Sequence, residues 1–173
     1  MSKKVISFSL GEIDKAIREL KQYQRDFQKK VDTYRKRIAE EMAKVVALNF
    51  GSAVMDDIIN GTPRRPEVTV SVGERGDISV VVANGEDAVW CEFGAGVYHN
   101  GSAGSSPNPY GQELGFTIGS YGKGRGKQTA WGYYDEDGQL VITRGTPASM
   151  PMYNAVQEVT KRAIEIAREV FGS

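Results

Sequence analysis

Cys91 and His99 are the one thiol and the one imidazole in this 173-residue chain, and together they could run nucleophilic chemistry, since a thiolate needs a nearby base to take its proton. Each has a plainer reading. Cys91 ends the apolar run Ala88-Val89-Trp90-Cys91, where cysteine serves as a small buried hydrophobe, and His99 precedes Asn100-Gly101 in a glycine-rich stretch. Catalysis is not expected there, nor is a metal site built on Cys91, Glu92 and His99. The run Gly122-Lys123-Gly124-Arg125-Gly126-Lys127 offers N–H groups and cations to a phosphate. A Walker loop, however, needs Gly, four residues, Gly-Lys and then Ser or Thr; here Tyr121 stands where the first Gly belongs and Gln128 follows Lys127. The clusters Asp56-Asp57 and Asp135-Glu136-Asp137 read as solvated carboxylates at helix ends and turns. Glu92 is different, because it stands between Cys91 and Phe93 on an expected strand, and a partly buried charge requires a partner. Arg144 is the candidate, from the same or an adjacent subunit; the alternative is a Glu facing solvent on alternate pleats. The expectation is a protein that is not an enzyme and uses no cofactor.

The elements that would position these residues follow from periodicity. Ile13, Ile17, Leu20, Phe27, Val31, Tyr34, Ile38, Met42 and Val45 keep a spacing of three and four, with only Gln24 interrupting, which predicts one amphipathic helix from Leu10 to about Asn49. At about 1.5 Å per residue it would reach roughly 50 to 60 Å, longer than one such domain can cover, so part of it must project or meet another subunit. Asn49-Phe50-Gly51-Ser52 is the expected break, with a further short helix over Ala53 to Ile59. Val68, Val70 and Val72 alternate with Thr69 and Ser71, and Ile78 to Ala83 returns after a turn, which predicts a β-hairpin. Asp87 to Phe93 reads as a third strand or helix edge. A second hairpin is expected from Trp131-Gly132-Tyr133-Tyr134 and Leu140-Val141-Ile142-Thr143 around Asp137-Gly138. Pro151 to Phe171 carries Met152, Ala155, Val156, Val159, Ala163, Ile166 and Val170 on one stripe and predicts a packed closing helix.

The fold expected is α+β: long amino-terminal and carboxy-terminal helices packed on a small antiparallel sheet, with a long glycine-rich loop. It is read as a single domain of a helical arm (1–60), a β-hairpin and strand (61–96), an inserted loop (97–128), a hairpin (129–150) and the last helix (151–173). Hydrophobic residues at 40% and charged residues at 25% are ordinary globular usage and exclude wholesale disorder. Thirteen of the 20 glycines fall between Gly94 and Gly145, a surface-like segment more suited to meeting neighbours than to doing chemistry. The formal net charge is zero, but residues 1–50 hold 12 Lys/Arg against 7 Asp/Glu, so a basic first part at +5 is followed by a remainder at −5. That layout suits head-to-tail matching between copies, or simply a solvated helix face. With one cysteine there is no internal disulfide, which suggests a reducing setting, and no run of about 18 apolar residues suggests a membrane partner.

The order of features carries a resemblance. A long first helix, two β segments, the block Val89-Trp90-Cys91-Glu92-Phe93-Gly94-Ala95-Gly96, a variable loop, and Gly145-Thr146-Pro147-Ala148-Ser149-Met150-Pro151-Met152-Tyr153-Asn154-Ala155 opening the last helix resemble the neck and tail-completion proteins of tailed bacteriophages, the group similar to minor tail protein Z of phage lambda. Family members show an aromatic-Glu-Phe-Gly block and a Pro-containing entry to the last helix; where they often have Arg-Pro-Phe, this chain has Met150-Pro151-Met152. The resemblance implies a structural virion protein, assembled in the host cytoplasm and placed in the neck or tail. It would complete the tail and mediate head-tail joining as a ring, hexameric by that resemblance. Its implied partners are further copies of itself, tail terminator or tail-tube proteins and head-completion proteins, with DNA only as passing cargo. The expected interface residues are Phe27, Val31, Tyr34 and Ile38 on the helix, Glu92, Phe93 and Gly94 at the corner, and Tyr98, Tyr110, Tyr121, Lys123, Arg125, Lys127 and Arg144 in and after the loop. The alternative is a nucleic-acid-contacting module using Lys29, Lys30, Arg35, Lys36 and Arg37 with the Gly/Lys/Arg loop.

Overall fold

The computed structural model describes residues 9–94, 110–114 and 130–172. Helix α1 runs unbroken over Leu10–Ser52, 43 residues, or roughly 65 Å at about 1.5 Å each. No proline interrupts it, its two glycines stand near its ends, and pairs such as Lys29 with Asp26 and Gln22 with Asp26 tie successive turns of its exposed face. The antiparallel hairpin of β1 (Thr69–Arg75) and β2 (Ile78–Asn84) pairs Thr69 with Asn84 and Arg75 with Ile78, the expected register of alternating valines. Its inner face, Val68, Val70, Val81 and Ala83, packs against a core of Val45, Val46, Phe50, Met55, Cys91 and Val159.

Helix α4 (Pro151–Phe171) has the bounds its apolar stripe predicts, with Pro151 in the first turn, where a missing N–H costs nothing. It lies antiparallel on α1. Asn49 donates to the Pro151 carbonyl at 3.0 Å, Arg162 pairs with Glu41, Arg37 meets Glu169 at 2.5 Å, and the rings of Phe27 and Phe171 stand 5.8 Å apart. The 21 residues of α4 span only about 31 Å, so they reach from Asn49 back to about Phe27 and leave the first third of α1 as an overhang. A second hairpin joins β3 (Trp131–Tyr134) to β4 (Leu140–Thr143), turned by Asp135 Oδ1, which accepts the N–H groups of Asp137 and Gln139, and by Gly138 at φ 74°. The architecture of the described residues is therefore α+β, with two long helices, two short ones and two separate two-stranded sheets.

One expectation is decided locally and one fails. Asp87–Phe93, read as a third strand or helix edge, is a helix, α2: seven residues are too few to show a period, and helical winding puts Cys91 and Phe93 inside while Val89 stays exposed. Ala53 to Ile59 is not a helix but an extended segment beside β4. Its backbone bonds run across rather than along the chain, from Asp57 N–H to the Gly145 carbonyl and from Ile59 N–H to the Ile142 carbonyl. Tertiary pairing outweighs the local helix signal here. Within the expected loop the structure describes one short helix, α3 (Tyr110–Glu113).

Candidate functional site

The described parts of the two sequence blocks that carry the resemblance, far apart along the chain, meet in space. Helix α2 ends at Phe93, and Gly94 turns the chain at φ 78°, with its N–H donating to the Trp90 carbonyl at 2.8 Å. A Cβ on Gly94 would stand 3.2 Å from the Ala148 side chain, so this corner requires glycine both for its backbone angle and for the close approach. The Cys91 carbonyl accepts the N–H groups of Ser149 and Met150 at 2.9 and 3.2 Å. Met150 adopts a left-handed conformation, φ 53°, and delivers Pro151 into α4.

Glu92 completes the lock. It is 5% exposed, and its carboxylate accepts the N–H groups of Met152 at 2.9 Å and Tyr153 at 3.1 Å. These are first-turn amides of α4, which have no acceptor within their own helix and lie at the positive end of its dipole. The expected partner, Arg144, is elsewhere: it pairs with Asp57 at 3.2 Å. The solvent-facing alternative also fails, because helical winding turns Glu92 inward. Two backbone amides of α4 are therefore among the partners of Glu92, a solution sequence spacing alone does not reveal.

Cys91 is fully buried beside Met55, with the two sulfur atoms 3.8 Å apart, and burial, with some help from the Asp87 charge, pushes its thiol up to about 11. A thiol held in that form is a packing group, not a poised nucleophile. Nearby, Arg64 forks onto Asp87 at 2.8 and 3.0 Å, and Asp87 also accepts the Glu67 N–H at 2.9 Å. Hydrogen bonds from Arg64 hold the Asp87 carboxyl below its ordinary range. This cluster ties the approach to β1 onto the start of α2, and sequence reading misses it because its members are 23 residues apart. No group of three or more His, Cys, Asp or Glu that could hold a metal occurs among the described residues, and no described helix is long and apolar enough to cross a membrane.

The expected helix contacts divide. Phe27 stacks on Tyr23 and meets Phe171, and Tyr34 donates to the Ala163 carbonyl at 3.3 Å, so part of the stripe is satisfied within the protomer. Val31, Tyr34 and Ile38 remain half-buried and floor an open groove of about 650 Å³, walled by α4 and β2. Beyond them Leu10, Ile17 and Leu20 are 84%, 44% and 66% exposed on the overhang. Tyr110 is exposed on α3. Tyr98, Tyr121, Lys123, Arg125 and Lys127 lie outside the described residues, as does His99. Of the cations of the alternative reading, Lys29 stands near Asp26, Arg35 and Lys36 near Glu74, and Arg37 near Glu169, while those of the Gly/Lys/Arg loop lie outside the described residues. Comparison of the chain with family models, curated proteins and solved structures finds no match.

Proposed function

We propose that this protein is a non-enzymatic structural subunit of a tailed-phage neck or tail end, assembling as a ring that completes the tail and joins it to the head. One observation carries the reading: the apolar stripe of α1 continues past the reach of α4, leaving Leu10, Ile17 and Leu20 in solvent. A monomer gains nothing from such a stripe, whereas an oligomer buries it. The outer side of β2 adds Ile78 and Val82, also exposed, so the uncovered apolar surface is not confined to one element. The overhang and the groove are different faces, as a heterologous ring contact requires. The corner of Glu92, Phe93 and Gly94 supports the same reading as the rigid seat from which the glycine-rich segment departs and to which it returns.

Mass measurement tests this. Native mass spectrometry of the full chain, alone and mixed with tail-tube and head-completion proteins, is expected to show a closed multiple of the 19.0 kDa protomer that survives about 1 M salt. A protomer mass under every condition, or an assembly that collapses as salt rises, rejects the proposal.

A further inference from the structure

Helix α4 accompanies α1 only as far as Phe27, where Phe171 closes the contact with the ring centroids 5.8 Å apart. The seam itself runs on. Leu10, Ile13, Ile17, Leu20, Gln24 and Phe27 follow alternating steps of three and four, the seven-residue period of a two-helix contact, and Leu10, Ile17 and Leu20 of this stretch are exposed.

The rest of the same chain is too short or too far away to cover it. Eight residues precede Ser9. Wound as a helix they would span about 12 Å of the roughly 26 Å between Leu10 and Phe27, and drawn out as a strand they would lay unpaired backbone N–H and C=O groups on an aliphatic face. The 35 residues between Gly94 and Ala130 start and end at the opposite end of α1, where Gly94 approaches Ala148, Asn49 holds Pro151 and Trp131 pairs with Thr143. Leu20 lies about 44 Å from Asn49 along the helix and Leu10 about 58 Å. At about 3.4 Å per residue, that stretch would have to run almost straight out and straight back merely to touch them.

The charges beside the seam select a second overhang and set its direction. Asp14 follows Ile13 and Lys21 follows Leu20, so the two stand seven residues apart on one flank, and neither has an ion-pair partner among the described residues. Antiparallel helices bring like flanks together. When Ile17 of one copy faces Leu20 of the other, Asp14 meets Lys21 twice and Leu10 lies on Phe27, so the contact fills the length that α4 leaves open. A shift of one heptad either way sets Asp14 against Asp14 or Lys21 against Lys21, which like-charge repulsion disfavours. Parallel pairing leaves Asp14 and Lys21 facing the uncharged Ser9 and Ala16 and crowds both globular bodies at one end. In the antiparallel pair the second overhang continues the line of α4, its positive helix end toward the negative end of α4.

We infer that two copies of this chain pair through their overhangs, antiparallel about a two-fold axis between Ile17 and Leu20, with Asp14 of each copy against Lys21 of the other. The pair is closed and goes beyond the ring reading. Because both contacts bury the same stripe, a copy entering the proposed ring must first leave its pair.

Sedimentation equilibrium of the full chain without other proteins tests the pair and is expected to give twice the 19.0 kDa protomer. Asp14→Lys or Lys21→Asp alone should raise the dimer dissociation constant at least about tenfold, and the two together in one chain should restore it to within about twofold. Single changes without effect, or a double change without recovery, overturn the inference. Cys91 is wholly buried and does not compete, so an Ile17→Cys chain and a Leu20→Cys chain can be mixed and oxidised. A linked dimer at least about tenfold more abundant in the mixture than in either chain alone is expected. Self-linkage of either chain marks parallel pairing and overturns the inference, as does absence of linkage. A full chain that stays at the protomer mass also overturns it, and pairing that appears only after removal of residues 2–8 identifies the chain's own start as the cover. The ring is judged separately, with its tail partners present: a chain that pairs alone and forms no larger assembly with them upholds this contact and rejects the ring.

Discussion

Glu92 accepts the backbone N–H of Tyr153 across 61 residues of sequence, and so fastens the first turn of α4 to the last turn of α2. Replacing Glu92 by Ala leaves the amides of Met152 and Tyr153 without acceptors in a partly buried corner and is expected to cost about 2–3 kcal/mol. Glu92→Gln keeps one oxygen acceptor but loses the charge at the helix N-terminus, at about 1–2 kcal/mol. Urea titrations of the two variants check the order; equal costs would mean that the carboxylate charge contributes nothing.

Gly94 and Gly138 both have positive φ, at 78° and 74°, yet only Gly94 has close neighbours on the side where a Cβ would go. Gly138→Ala should therefore cost only the left-handed backbone penalty, about 1 kcal/mol, whereas Gly94→Ala adds a collision with Ala148 and the Thr146 carbonyl and should exceed it by roughly 1–2 kcal/mol. Thermal melts of the pair read the difference directly.

The Arg64–Asp87 fork gives a pH dependence of defined sign. The Asp87 carboxyl is held below its ordinary value of 3.8, chiefly by the hydrogen bonds from Arg64, with burial opposing. A depressed carboxyl binds its proton more weakly in the folded state, so its contribution is complete above the ordinary value and lost as pH falls below it. Arg64 is 45% exposed and solvent screens the pair, so Asp87→Asn should cost about 1 kcal/mol at neutral pH. It should also flatten the decline in stability between about pH 4 and pH 2, measured by denaturation at a series of pH values.

Cys91 should be inert while the protein is folded. With no solvent exposure and a thiol pushed up to about 11, it is expected to react with a disulfide reagent at pH 8 only as fast as the core opens, and immediately in denaturant. Rapid stoichiometric labelling of the native chain would contradict the packing described for α2.

Much of this fold was legible where one period persisted. Leu10 to Val45 repeats its apolar spacing for ten turns, and α1 begins at the residue where that spacing begins; Pro151 and Gly172 bracket α4 in the same way. The hairpins followed from alternating valines and from Asp137-Gly138. What could not be read was decided by contacts between distant residues. Ala53 to Ile59 has enough apolar residues for a helix, but Asp57 and Ile59 pair with Gly145 and Ile142, about eighty positions away. Asp87 to Phe93 has apolar residues at all five positions between and beside its two carboxylates, so its pattern is consistent with a strand or a helix, and the turns at Gly85 and Gly94 set its two ends. Glu92 needs a partner by its apolar neighbours alone, but the spacing of side chains does not point to the amides of Met152 and Tyr153, sixty positions on.

In the proposed ring the overhang of α1 would also work as a ruler. A straight helix that extends four or five turns past its own globular body can bridge to a neighbour while the bodies stand apart, so spacing around an assembly would be set by residue count at about 1.5 Å each. Removing one heptad between Ile13 and Phe27 preserves the phase of the apolar stripe and shortens the reach by about 10 Å. A lumen bounded by such struts would narrow by an amount fixed in the gene.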